Sequence, residues 1–177
     1  MKYAIAAHIV FVVFASTFAC AAELPRSIGP ITLGMTPAEF KQATGVGTEP
    51  CPRCDANEEY AYAGHITLKG KLPPEFEGHG VEVFFFKGLL YKISVEAQLP
   101  TPDSAKEYFA KFGKTKDIKS SPDEANVYRI WEDKKTKVTI LYDKGSINSF
   151  VMYLRDLDLS FQHYSQERSN PTNPEAH

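Results

Sequence analysis

The sequence predicts an α+β domain built from two helix-plus-three-strand repeats, with the helices packed on one face of antiparallel sheet. Three observations predict it. Val81 to Ala97 places β-branched and aromatic residues on both sides of Lys87-Gly88, the pattern of a tight hairpin. Thr36-Pro37 and Thr101-Pro102 each open a short amphipathic run with a capping residue followed by proline at the first helical position. A second hairpin pattern, Thr136 to Tyr142 and Ile147 to Leu154 around Asp143-Lys-Gly-Ser146, follows the second run as the first hairpin follows the first.

The 177-residue chain opens with Lys2, an apolar stretch from Tyr3 to Ala19, and small residues Ala19-Cys20-Ala21-Ala22 before Glu23. That order is a secretory signal peptide over residues 1–21, cut after Ala21. A retained membrane anchor competes with it, because the apolar run approaches spanning length. Lipid attachment at Cys20 is a third reading. Thr17 and Phe18 stand where bacterial lipoprotein signals carry Leu and a smaller residue. The expectation is export to a periplasmic or extracellular space, with a membrane role only if Cys20 is lipidated. Loss of Lys2 makes the formal charge of −2 one unit more negative. Mild acidity without a basic stripe argues against nucleic acid. Residues 22–158 suit one domain, with repeats at about 28–98 and 99–158.

Thr36, Pro37 and Glu39 form a capping-box pattern and Gly45 a stop, so a short helix follows Leu33-Gly-Met35 and turns Phe40, Ala43 and Thr44 toward a sheet. This Gly-Met-Thr opening resembles that of the small outer-membrane-assembly lipoproteins (the BamE-like group) and the repeat unit of the β-lactamase inhibitor protein fold. The resemblance covers about residues 28–45 and implies a helix packed on antiparallel sheet and a role in binding another protein. It carries no functional residue, and the weak lipobox departs from the lipoprotein members.

Val46 to Glu59 reads as loop, and a strand is expected around Tyr60 to Leu68. In the first hairpin Val81, Val83 and Phe85 are expected to share a face with Leu89, Tyr91, Ile93 and Val95, leaving Phe84, Phe86 and Leu90 opposite. Ala105, Tyr108, Phe109 and Phe112 form a helical stripe ended by Gly113, and Val127 to Glu132 is a further strand. Past Asp158 the sequence turns polar, and residues 159–177, with His163 and His177, read as a disordered tail.

Cys51-x-x-Cys54 is the motif with reactive potential. Pro50, Pro52 and the acids Asp55, Glu58 and Glu59 would disfavour a thiolate, and no thioredoxin-type βαβ pattern surrounds the pair. A structural disulfide is the leading reading. Metal binding, redox activity and free thiols stay open. His65 and His79 are the nearest further ligands, and neither spacing is a zinc-finger pattern. No nucleophile elbow is present. The expectation is therefore no catalytic residue, no metal and no cofactor. A broad apolar surface of Phe84, Phe86, Leu90, Leu141, Val151 and Tyr153 is expected to meet another envelope or secreted protein. The alternatives are a thiol-redox or metal-binding protein using Cys51 and Cys54, and a small secreted hydrolase with its site between the halves.

Overall fold

The computed structural model describes residues 23–50, 61–62, 72–77, 79–117, 126–143 and 145–169. The leader, Cys20, Cys51, Cys54, His65 and His177 lie outside the described residues, as does most of the strand expected at 60–68. Among the described residues, no helix is long and apolar enough to cross a membrane.

The α+β class holds. In chain order come β1 (Ser27–Ile28), β2 (Ile31–Thr32), α1 (Pro37–Thr44), β3 (Glu49–Pro50) and β4 (Ala61–Tyr62). Then follow a 3-10 turn at Pro74–Phe76, β5 (Val81–Phe86), β6 (Leu89–Gln98), α2 (Pro102–Ala110) and β7 (Lys116–Asp117). The chain continues through β8 (Asn126–Glu132), β9 (Thr136–Asp143), β10 (Ser149–Asp156) and α3 (Leu157–Ser169). Six strands make one antiparallel sheet in the order β5-β6-β10-β9-β8-β7. Its sixth member is β7, at Lys116–Asp117, whereas Ala61–Tyr62 pairs with Glu49–Pro50 in a separate two-stranded ladder. The two long hairpins meet where β6 lies against β10, with Val95 opposite Met152 and Ile93 opposite Leu154.

Both helices start as their sequences dictate. The Thr36 hydroxyl accepts the Glu39 N–H, and the Glu39 carboxylate accepts the Thr36 N–H in return. The carboxylate accepts from both the Thr36 N–H and the Thr36 hydroxyl, and these bonds hold it below the usual carboxylate range. At the other end Gly45 takes φ 80°, the left-handed conformation that closes a helix. In α2, Ser104 performs the reciprocal role for Thr101. The Trp131 indole N–H then donates to the Gly113 carbonyl at 3.1 Å, tying the end of that helix to β8.

The core lies between the sheet and α1, α2 and the β1-β2 hairpin. Val81, Val83, Phe85, Ile93, Val95, Val138, Ile140, Met152 and Leu154 are buried on this face. Phe40 of α1 meets Phe85 edge-on with ring centroids 6.0 Å apart. Phe109 of α2 packs among Trp131, Tyr142 and Phe150. Arg26, just ahead of β1, pairs with Asp156 at the end of β10 and donates to the Thr136 hydroxyl. The N-terminal segment is thereby clasped across the sheet.

One expected parity is reversed. The ladder between β5 and β6 pairs Phe84 with Lys92 but Phe85 with Leu90, so Tyr91 is an extra residue, a β-bulge. A one-residue insertion exchanges the two faces beyond it. Leu90 therefore joins the core with Phe85, and Tyr91 packs with Phe86 on the opposite face. The Leu90 N–H donates to Met35 and its carbonyl accepts from Gly34, so the loop leading into α1 serves the strand end where β10 no longer pairs. The hairpin turn has Lys87 at φ 51° and Gly88 at φ 71°, the two positive angles of a type I′ turn.

Residues 157–169, which fall largely in the expected tail, form α3. The Asp156 carboxylate accepts the Leu159 N–H at 3.0 Å and caps its start. His163 is the reason the polar run folds back: it is buried, stacked on Tyr91 at 5.2 Å and edge-on to Phe86 at 5.1 Å.

Candidate functional site

The face of the sheet opposite the helix-covered core is the candidate site. Antiparallel pairing arranges its outward side chains in three rows across the strands. Glu96, Val151, Leu141 and Tyr128 stand opposite one another in turn on β6, β10, β9 and β8. Two residues along comes Glu82, Ser94, Tyr153, Thr139 and Ile130, and two further on comes Phe84, Lys92, Arg155, Lys137 and Glu132.

Of the six residues expected to form a partner surface, four are on this face and partly exposed: Phe84, Leu141, Val151 and Tyr153. Two are not available. Phe86 is 2% exposed because α3 lies over it, and Leu90 is 0% exposed because the bulge turns it into the core. The surface is narrower than expected at the α3 end. It is extended by Tyr128 and by Tyr164, an α3 residue 44% exposed whose hydroxyl lies 3.4 Å from an Arg155 nitrogen.

Cations thread between the aromatic rings. The Lys92 ammonium stands 4.0 Å from the centre of the Phe84 ring and 5.7 Å from that of Tyr153. Such contacts draw the positive charge down onto the sheet instead of out into water. The Tyr153 hydroxyl has its pKa raised, first by burial and then by Glu82 and Tyr128, against the opposing influence of Arg155. It is therefore a neutral hydrogen-bonding group across the physiological range.

At the far end, beyond Val151 and Leu141, a cavity of about 430 Å³ opens, with His79, Glu96, Asn126 and Asp143 on its walls. These would be the components of a hydrolytic site. However, Asp143 Oδ1 accepts the Gly145 N–H at 2.7 Å and serves its own turn. No hydrogen bond joins His79 to Glu96 or Asp143 among the described residues, so no base is oriented by an acid there. Among the same residues no group of three or more His, Cys, Asp or Glu side chains is placed to hold a metal ion. What the face offers is apolar contact bordered by charge.

Sequence reasoning missed Lys92, Tyr128, Lys137, Arg155 and Tyr164. Alternation within its strand sets Lys92 on the side of Phe84, but the cross-strand register that gathers the strand residues was not readable from any one segment, and Tyr164 lay in the expected tail. A comparison with family models, curated proteins and solved structures finds no match to this chain.

Proposed function

We propose that this chain is an exported, non-catalytic cell-envelope protein that binds another protein through the open face of its sheet. One observation carries the reading: Phe84, Leu141, Val151 and Tyr153 stay partly exposed on strands whose opposite face is a closed core. Aromatic and aliphatic groups gathered on a rigid sheet are the kind of surface that meets a partner. The leader pattern supports export. A disulfide between Cys51 and Cys54 and an origin by tandem duplication belong to the same proposal. The duplication is supported by the paired Thr-Pro caps, the two long hairpins, and the pairing of Val95 with Met152 at their junction. The resemblance of residues 28–45 to assembly lipoproteins and inhibitor repeats points the same way.

Photo-crosslinking in the native envelope tests the binding reading. A crosslinking residue at Val151 or Tyr153 should capture a discrete partner, whereas one at Glu107 on α2 should not. Capture from position 107 alone, or from none of the three, overturns it. Intact mass of the exported protein, before and after reduction and alkylation, reports the cleavage site and the state of the cysteines. A mass that keeps residues 1–21 would remove the export reading, and two alkylated cysteines without reduction would remove the disulfide.

A further inference from the structure

Resting on that docking reading, we infer that the protein seated on the open face is a second copy of this chain. The two copies are related by a two-fold axis that lies in the interface and runs across the strands, between the row of Tyr153 and the row of Val151. A ridge, a hollow and a separation of charge carry the inference, because a two-fold brings the two ends of one face together.

The ridge is α3, which lies over the Phe86-Tyr91 end of the sheet. It buries Ser160 and His163 and turns Phe161 outward, 74% exposed. A helix with only its own sheet to satisfy would do the reverse. Tyr164, three residues on and so on the same flank, reaches toward Arg155, which places both rings along the border of the open face. The hollow is the cavity of about 430 Å³ at the opposite end, with Val151 and Leu141 in its lining and no Lys or Arg. It has room for a phenyl ring. Charge separates along the same direction. Lys92, Arg155 and Lys137 share the row nearest α3, with Glu132 opposite Lys137 and the Lys92 ammonium on the Phe84 ring. Glu96 stands beside Val151, and one row beyond come Ser149, opposite Gln98, and Asp143, opposite Asn126.

A half-turn about that axis reverses the order of the rows and keeps each strand over its own counterpart. Tyr153 then meets the second copy's Val151, Lys137 its Asp143 and Arg155 its Ser149, every contact being made twice. Glu132 falls on Asn126 and Lys92 on Gln98, so no like charges are brought together. Sheets packed face to face stand about 10 Å apart, roughly the thickness of one helix. The ridge of each copy therefore stops against the strand ends of the other, where Phe161 reaches the cavity. A partner of unrelated sequence places no demand on how the two ends of this face relate, whereas a second copy requires them to match.

Sedimentation equilibrium of the exported protein tests the inference. The parent should approach twice the mass of one chain as concentration rises. Phe161→Asp and Lys137→Glu should each weaken association roughly tenfold, since a two-fold places every substitution in the interface twice. Their melting temperatures in dilute solution should match the parent's, because neither side chain belongs to the core. Lys137→Glu mixed with Asp143→Lys should regain the dimer that each loses alone, the reversed charges now meeting as opposites. Asp143 also holds its own turn, so Asp143→Asn, which keeps an acceptor for the Gly145 N–H, accompanies it and should weaken association by a smaller factor. A dimer indifferent to Phe161→Asp and Lys137→Glu lies on another surface and overturns the inference. So does a mixture of folded variants that associates no better than either alone. A parent with the mass of one chain at every concentration overturns it as well, and crosslinking from position 151 then separates the two readings. Capture of a different protein leaves docking on this face standing without the second copy; capture of nothing removes both.

Discussion

The two faces of the six-stranded sheet use one alternation for opposite ends. On the inner face Val83, Ile93, Met152 and Ile140 disappear beneath α1, α2 and the β1-β2 hairpin. On the outer face Glu82, Ser94, Tyr153 and Thr139 occupy the corresponding ladder, and aromatic rings lie beside cations. The backbone of each strand is common to both, so the difference resides in what lies on top. The inner face is closed by elements whose ends are capped and clasped, whereas on the outer one α3 covers the Phe86-Tyr91 end and Phe84, Leu141, Val151 and Tyr153 stay partly exposed. Stability should therefore track the inner face and recognition the outer.

The largest test removes an inner anchor. Phe109→Ala empties the space among Trp131, Tyr142 and Phe150 and should cost about 3–5 kcal/mol in denaturant unfolding. A loss comparable to that of an outer-face substitution would break the contrast. Arg26→Ala leaves the partly buried Asp156 without its cation and should cost about 1–2 kcal/mol, less than a fully buried pair because the arginine is one-third exposed. Thr36→Ala removes the hydroxyl half of the first capping box, leaving the backbone N–H at position 36 to donate to Glu39, and should lower stability by about 1 kcal/mol. Tyr153→Ala, on the outer face, should stay within about 0.5 kcal/mol of the parent while reducing partner capture.

The smallest effect is one of pH. Asp133 accepts hydrogen bonds from the N–H groups of Lys135, Leu24 and Thr136 and lies near Arg26; against the opposing effect of burial, these hold its carboxyl below the usual range. A depressed carboxyl contributes stability that is present above its unfolded value near pH 4 and is lost as pH falls through the lower folded value. Asp133→Asn should flatten the acid limb of the stability profile below about pH 4, read from melting temperatures across a pH series. An unchanged acid limb would deny the carboxylate that role.

Local signals in the sequence were enough to place most elements. Thr36, Glu39 and Gly45 announced α1, the Thr101-Pro102 pair and its apolar stripe announced α2, and both hairpins lie close to their expected positions. What depended on distant pairing was not legible. Tyr91 looks like any strand residue, and its bulge becomes visible only once Phe84 meets Lys92 and Phe85 meets Leu90. His163 sits in a polar run with little helical amphipathicity, and the rings that bury it come from a hairpin some seventy residues earlier. The site was half visible for the same reason. Its aromatics stand out within single strands, but the cation row exists only across three of them.

The Arg26–Asp156 clasp also has a consequence for when the fold can close. Its two partners are separated by 130 positions, and the carboxylate sits on the last strand and caps the last helix. A chain made from its amino end has the residues of β1 and α1 in place long before that carboxylate emerges. Until then Arg26 has no Asp156 to hold and the inner layer remains open at one corner. Closure therefore waits for nearly the whole chain, and a truncated product is left unlatched.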